Sequence, residues 1–304
     1  MAAQPYILES KLFGPREACE LGLVHELVPD APALRGAALA WIADHPHSAQ
    51  PWDAKGYKIP GGLPSHPMIA QALAVAPAMA VPSKFYRPLV SAFEDQGWNA
   101  RALTRRGFEP GAPKASRDYD WSFADEIADT QAAVDAARKE HPDKPVVLLG
   151  HSLGGQLSGG VQVGPRPADG LVLVGASLPH MVHYRKTGLG LGVMAATIPV
   201  VTRVLGHVPK PWFGAPGAKT LMSEWGKMVW DGTPPYEIGQ RAEKPTLAVH
   251  LAGDSFSVPA AARRFEQMLV EPHALTRWRY TRGQTPQGGS THHVFWVRHP
   301  DRVV

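Results

Sequence analysis

The chain predicts an α/β fold: a mostly parallel sheet with helices on both faces and a cap inserted between two late strands. Three observations predict it. From about residue 68, short apolar runs alternate with longer amphipathic ones. One run, Pro145-Val146-Val147-Leu148-Leu149, leads directly into Gly150-His151-Ser152-Leu153-Gly154 and a helix-compatible stretch. Between about 178 and 243 the alternation stops and glycine, proline and tryptophan take over, before a strand pattern resumes. Strands that alternate with helices run parallel and are covered on both faces.

The elements follow in order. Asp30 can cap a helix through Leu34, Ala38, Trp41 and Ile42. Breakers then crowd residues 45–64: His45-Pro46, Gln50-Pro51, Ile59-Pro60-Gly61-Gly62 and Leu63-Pro64. So long a loop suggests a boundary, which sets residues 1–67 apart from a domain at 68–304. Residues 69–76 read as an apolar strand, 85–96 as a helix stopped by Gly97, and 98–103 as a second strand. Residues 106–120 form a polar loop. Ser122, with Asp125 three residues on, opens a helix that puts Phe123, Ile127, Thr130, Val134 and Ala137 on one face. Strands are expected at 146–149, 170–175, 246–251 and 275–280, with a helix at 260–269. The cap at about 178–243 would lie over the carboxyl edge of the sheet, where such folds bind ligands.

Composition narrows the class. Of 304 residues 44% are hydrophobic and 19% charged, enough for a sizeable core. A net charge of +4 with scattered cations gives no nucleic-acid footprint. The single cysteine, Cys19, excludes an internal disulfide. The amino-terminal stretch lacks a basic-then-apolar leader pattern, so a soluble, cytoplasmic protein is expected. The most apolar run, 187–202, contains Pro199 and is shorter than the ~20 residues of a spanning helix. It reads as a flexible cap segment, with no membrane span. Gly188-Leu189-Gly190-Leu191-Gly192 lacks the dinucleotide spacing and no Cys/His cluster has metal spacing, so neither cofactor nor metal is expected.

The chemistry gathers at Ser152. A serine between glycines on a strand-to-helix turn stands above the sheet with a helix N-terminus beneath it, which favours developing negative charge. Its hydroxyl needs a base, and the base an orienting acid. In this architecture the chain order is Ser, acid, His. Asp254, just past a strand, is the candidate acid, with helix capping as its alternative role. His292 and His293 follow the last strand. His292 is preferred as base because Phe295 then falls three residues on, able to pack as the first turn of a terminal helix begins; His293 is the alternate. His151 lies within the turn itself and reads as structural. The oxyanion donors are expected at the backbone N–H groups of Leu153 and, from the turn after an early strand, Met79. Trp225 and Trp230 in the cap either pack or line an acyl pocket.

Residues from about 74 to 302 resemble the α/β-hydrolase superfamily, in its predicted-hydrolase branch related to the serine aminopeptidases. Carrying the resemblance are Pro77-Ala78-Met79, Phe85-Tyr86-Arg87-Pro88-Leu89, Gly150-His151-Ser152-Leu153-Gly154-Gly155-Gln156, Trp225 with Trp230, Gly253-Asp254 and His292-x-x-Phe295-Trp296. The resemblance implies Ser152 as nucleophile, Asp254 as acid, His292 as base, and an esterase, lipase, thioesterase or peptidase without cofactor. Such folds usually have two further strands before the one at 69–76, and no hydrolase-like sequence supplies them here. Instead, Glu17-Ala18-Cys19-Glu20-Leu21-Gly22-Leu23-Val24-His25-Glu26-Leu27-Val28 and the stretch from Gln50-Pro51-Trp52 to Pro60-Gly61-Gly62 resemble the later part of an enoyl-CoA hydratase (crotonase) module. That family's oxyanion turn and glutamates are absent, so no hydratase activity is expected. The amino-terminal segment, or a second subunit in a homo-oligomer, would cover the open sheet edge.

The expected function is hydrolysis of small carboxylic esters through an acyl-enzyme. The competing readings are an acyl-CoA thioesterase, suggested by the crotonase-like segment, and a non-enzymatic binding or dimerisation module, suggested by the incomplete sheet.

Overall fold

The computed structural model describes residues 14–20, 24, 26–44 and 72–300. The chain divides into two compact units, Met1–His66 and Pro67–Val304. The first holds helices α1 (Pro15–Glu20) and α2 (Ala31–Asp44). Asp30 caps α2, accepting a 2.8 Å hydrogen bond from the Ala33 N–H as its position predicts. The breaker-rich loop and the crotonase-like stretch at 50–62 lie outside the described residues, as do 69–71 of the first predicted strand.

In the second unit, β1 (Ala72–Ala76) leads through a 3₁₀ turn, Ser83–Tyr86, to α3 (Arg87–Asp95) and β2 (Asn99–Ala102). Helix α4 (Phe123–Glu140) opens on the predicted capping box: the Asp125 N–H bonds Ser122 Oγ, and the Asp125 carboxylate accepts from the Ser122 N–H. Phe123, Thr130 and Val134 of its predicted apolar face are buried. Then come β3 (Val146–His151), α5 (Leu153–Gln162) and β4 (Gly170–Val174).

The cap follows β4. It comprises α6 (Gly188–Leu205), α7 (Lys210–Phe213) and α8 (Lys219–Asp231), with a two-stranded antiparallel ribbon of β5 (His207–Val208) and β6 (Gly217–Ala218). Here the expectation of a flexible segment at 187–202 is corrected: α6 is an 18-residue helix with Pro199 inside it. Proline removes one i→i−4 bond at a cost of roughly 3 kcal/mol. Burial of Ala195, Ile198 and Thr202 along one face of α6 offsets that cost, and the left-handed Gly206 closes the helix with its N–H on the Thr202 carbonyl. The described residues close with β7 (Thr246–Leu251), α9 (Pro259–Leu269), β8 (Leu275–Tyr280) and a 3₁₀ turn at Phe295–Arg298.

The six-stranded sheet has the order β2-β1-β3-β4-β7-β8, and every pairing in it is parallel. Two apolar layers sandwich it. Leu148, Leu171, Phe265 and Leu269 belong to one, with α4, α5 and α9. Leu73, Val75, Leu149, Leu89 and Trp296 belong to the other, with α3 and the closing turn. Among the described residues no strand precedes β1, and β2 is an edge. Arg101 on that short edge strand pairs with Glu140 at 2.7 Å, and such a charge blunts an open edge.

Candidate active site

The site begins with three glycines. At Gly154 a Cβ would run into the carbonyl of Ala76, at Gly155 into Ala176 Cβ, and at Gly150 into the backbone of Gly155. Nothing larger than hydrogen fits where β3 turns into α5 against the ends of β1 and β4. That close approach forces Ser152 to φ 54°, ψ −118°, a conformation an L-residue holds only when its surroundings over-determine it. Its N–H is tied to the Val174 carbonyl at 3.0 Å. The hydroxyl then stands clear of the sheet at the N-terminus of α5.

His293 Nε2 lies 2.9 Å from Ser152 Oγ, and His293 Nδ1 lies 2.6 Å from Asp254 Oδ2. A carboxylate only accepts, so Nδ1 carries the proton and Nε2 is left free to accept from the serine hydroxyl. Both His293 and Asp254 are buried. Asp254 Oδ1 accepts from the N–H groups of Phe256 at 2.8 Å and Ser257 at 3.1 Å. Burial works to raise the Asp254 carboxyl; the His293 hydrogen bond and charge, with those two amides, outweigh it and hold the group below its ordinary range. Thr291 pins the histidine loop by donating to the Ala252 carbonyl at 2.9 Å. Phe256, exposed, leans over the His293 ring with centroids 5.1 Å apart.

The geometry therefore brings the alternate histidine, His293, to the serine. The preferred candidate, His292, is exposed; its ring stacks on Phe295 at 4.6 Å and its Nδ1 accepts from the Val294 N–H. Phe295 sets its face on the His292 ring at the surface, while His293 is the one that meets Ser152.

His151 is fully buried. Its Nδ1 is 2.7 Å from Tyr86 Oη and its Nε2 is 2.7 Å from the His293 carbonyl. A carbonyl so close requires Nε2 to donate, so Nδ1 accepts the Tyr86 proton, and Tyr86 Oη in turn accepts the Ala78 N–H at 2.8 Å. With Nε2 protonated, the Trp296 Nε1–H, 3.3 Å away, packs against this nitrogen without an acceptor there. Burial, with the charge of His293, pushes His151 down to about 3, so it stays neutral. Burial likewise pushes the Tyr86 phenol up, keeping its proton. One buried chain thus links the loop before Met79, the residue before Ser152 and the main chain of His293. Sequence reasoning placed His151 as structural but gave Tyr86 no role: nothing in the local pattern around Tyr86 points to a partner 65 positions away.

Met79 and Leu153 both line the cavity that holds Ser152 and His293. The Leu153 N–H opens α5 and has no carbonyl to meet within its own helix. The cavity encloses about 590 Å³. Its walls include Leu191, Met194, Trp212, Phe213 and Trp225, and among the described residues that line it only His293 and Tyr184 are titratable. Trp230 is half-exposed and is not among the lining residues. Among the described residues no group of His, Cys, Asp and Glu could hold a metal ion.

Strand order, elbow and cap are those of an α/β hydrolase, and the unit at 67–304 has that fold. More narrowly, residues 69–212 match the hydrolase family described as serine aminopeptidase, S33. No curated protein matches the chain. Among solved structures it is similar to BpoC from Mycobacterium tuberculosis H37Rv, at 14% identity over 77% of this chain and 89% of that one, with a TM-score of 0.52. It is similar also to a structure reported for the metagenome-derived lipolytic enzymes LipS and LipT, at 14% identity over 74% and 86%, with a TM-score of 0.51. At such identities the likeness is one of fold.

Proposed function

We propose that the protein is a serine hydrolase of carboxylic esters, with Ser152 as nucleophile, His293 as base and Asp254 as the acid that orients it. The observation that carries this reading is the continuous hydrogen-bond chain from Ser152 Oγ through His293 to Asp254 at the wall of an apolar cavity. Ser152 Oγ attacks the ester carbonyl while its proton passes to His293 Nε2. The oxyanion is met by the N–H groups of Leu153 and Met79. His293 returns the proton to the departing alkoxide, which leaves as the alcohol. Water, deprotonated by the same nitrogen, then attacks the acyl-enzyme and releases the acid and the free serine. Asp254 stabilises the imidazolium formed in both halves.

Two features favour an ester over the other substrates of this fold. Among the described residues no carboxylate faces the cavity to receive the free amino group of an aminopeptidase substrate, and no lysine or arginine lines it to meet the phosphates of an acyl-CoA. Apolar walls of Leu191, Met194, Phe213 and Trp225 suit a neutral acyl chain. The test is hydrolysis of p-nitrophenyl butyrate beside butyryl-CoA and an aminoacyl p-nitroanilide. The ester is expected to turn over fastest, and Ser152→Ala to lower its kcat by at least about a thousandfold without loss of folding. Ester turnover retained in Ser152→Ala would overturn the assignment, and faster butyryl-CoA cleavage would move it to the thioesterase.

A further inference from the structure

Helix α6 is apolar on two opposite faces. Gly192, Ala195, Ile198 and Thr202 point inward and are buried. On the other side Leu189, Val193, Val200 and Val204 are 73, 58, 65 and 65% exposed. At 100° per residue these four fall within a single narrow stripe roughly 22 Å long. A helix hydrophobic all round is normally buried, and a continuous apolar stripe in water marks a docking surface.

Charge says what docks there. Between Asp169 and Glu224 the chain has no acidic residue, and its charged side chains are Arg185, Lys186, Arg203, Lys210 and Lys219. Arg185 and Lys186 stand exposed just before α6 and Arg203 near its end. Arg117, also exposed, donates to the Val204 carbonyl at that end. The acids at the margins are Asp118, beside Arg117 in sequence, and Asp231, beside Trp230, whose ring reaches Gly192. An apolar stripe with cations at both ends complements an anionic lipid surface, where each Lys or Arg adds attraction. A second copy of the chain fits worse, because a two-fold contact along the stripe would bring the cations of one copy against those of the other. The inner face of α6 is occupied, so the helix lies along a surface rather than across it. Gly190, Leu191 and Met194 of the same helix line the Ser152 cavity.

We infer that the outer face of α6 docks the protein on an anionic membrane surface, setting the cavity beside lipid. The full chain is mixed with phosphatidylcholine vesicles, with or without roughly one-third phosphatidylglycerol, and floated on a density gradient. Wild type is expected to float with the anionic vesicles, less so at high salt, and not with the neutral ones. Val193→Glu and Val200→Glu, neither of which lines the cavity, are expected to weaken flotation about tenfold or more. Each variant should keep the wild-type melting temperature and solution esterase rate. Binding needs no turnover, so it stands or falls apart from the ester reading. Wild type that stays with the buffer, or glutamate variants that float as well as wild type, would overturn the inference. So would sedimentation showing a wild-type dimer that Val200→Glu dissociates.

Discussion

Tyr86 is the residue whose role rests most on geometry and least on sequence. Its hydroxyl accepts the Ala78 N–H and donates to His151 Nδ1 inside the core. Tyr86→Phe leaves both groups buried and unpaired, at roughly 1–3 kcal/mol of stability. Because the same chain sets the Met79 loop and the His293 main chain, kcat is expected to fall about tenfold with KM little changed. Stopped-flow kinetics beside a urea melt separates the two; lost stability with unchanged kcat would leave Tyr86 as packing alone. His151 gives a pH prediction. Folding lowers its pKa to about 3, against ~6.5 unfolded, so below about pH 6.5 the unfolded chain binds a proton that the native state refuses. Its contribution is therefore fully present above that pH and is lost progressively as pH falls toward 3. His151→Asn is expected to flatten this part of the stability-against-pH curve, read by denaturant melts from pH 7 to about 4. An unchanged slope would show that other groups carry the acid lability.

At the scale of elements, the elbow is the tightest junction. A methyl at Gly154 would meet the backbone of Ala76 and Pro77, and backbone does not yield as a side chain does. Gly154→Ala is expected to cost about 3 kcal/mol or more and to remove activity with it; a urea midpoint equal to wild type would contradict the packing described. Elements whose cause is local were legible in the sequence. The Ser122–Asp125 box, the span of β8 and the strand before Ser152 follow from caps and apolar runs within a few residues. Helix α6 was not legible, because Pro199 and spaced glycines argue against a helix locally while burial against the cap argues for it. The His292–His293 choice was not legible either. Adjacent residues in a loop point apart, and only the course of the loop, pinned by Thr291 on Ala252, decides which faces Ser152.

On the scale of the whole molecule, the parallel sheet gathers three distant loops at one edge. Ser152, Asp254 and His293 lie at the carboxyl ends of different strands, so order of strands rather than nearness in sequence builds the site. The sequence order Ser, Asp, His made that legible, as did the return of strand pattern after the cap. What lies along the edge at β2 was not legible: no apolar run with a strand pattern stands before residue 69, and among the described residues no strand precedes β1. The cap supplies apolar walls of the cavity and, on its other side, carries the exposed stripe of α6.

The central claim is that Ser152 is activated by His293 and not by its neighbour. The direct measurement is intact-mass detection of a fluorophosphonate adduct in wild type, Ser152→Ala, His293→Ala and His292→Ala under one set of conditions. One adduct, on Ser152, is expected in wild type and in His292→Ala at rates within about threefold, with labelling of His293→Ala slower by at least about a hundredfold and none on Ser152→Ala. Rapid labelling of Ser152 in His293→Ala, lost instead in His292→Ala, would contradict the account.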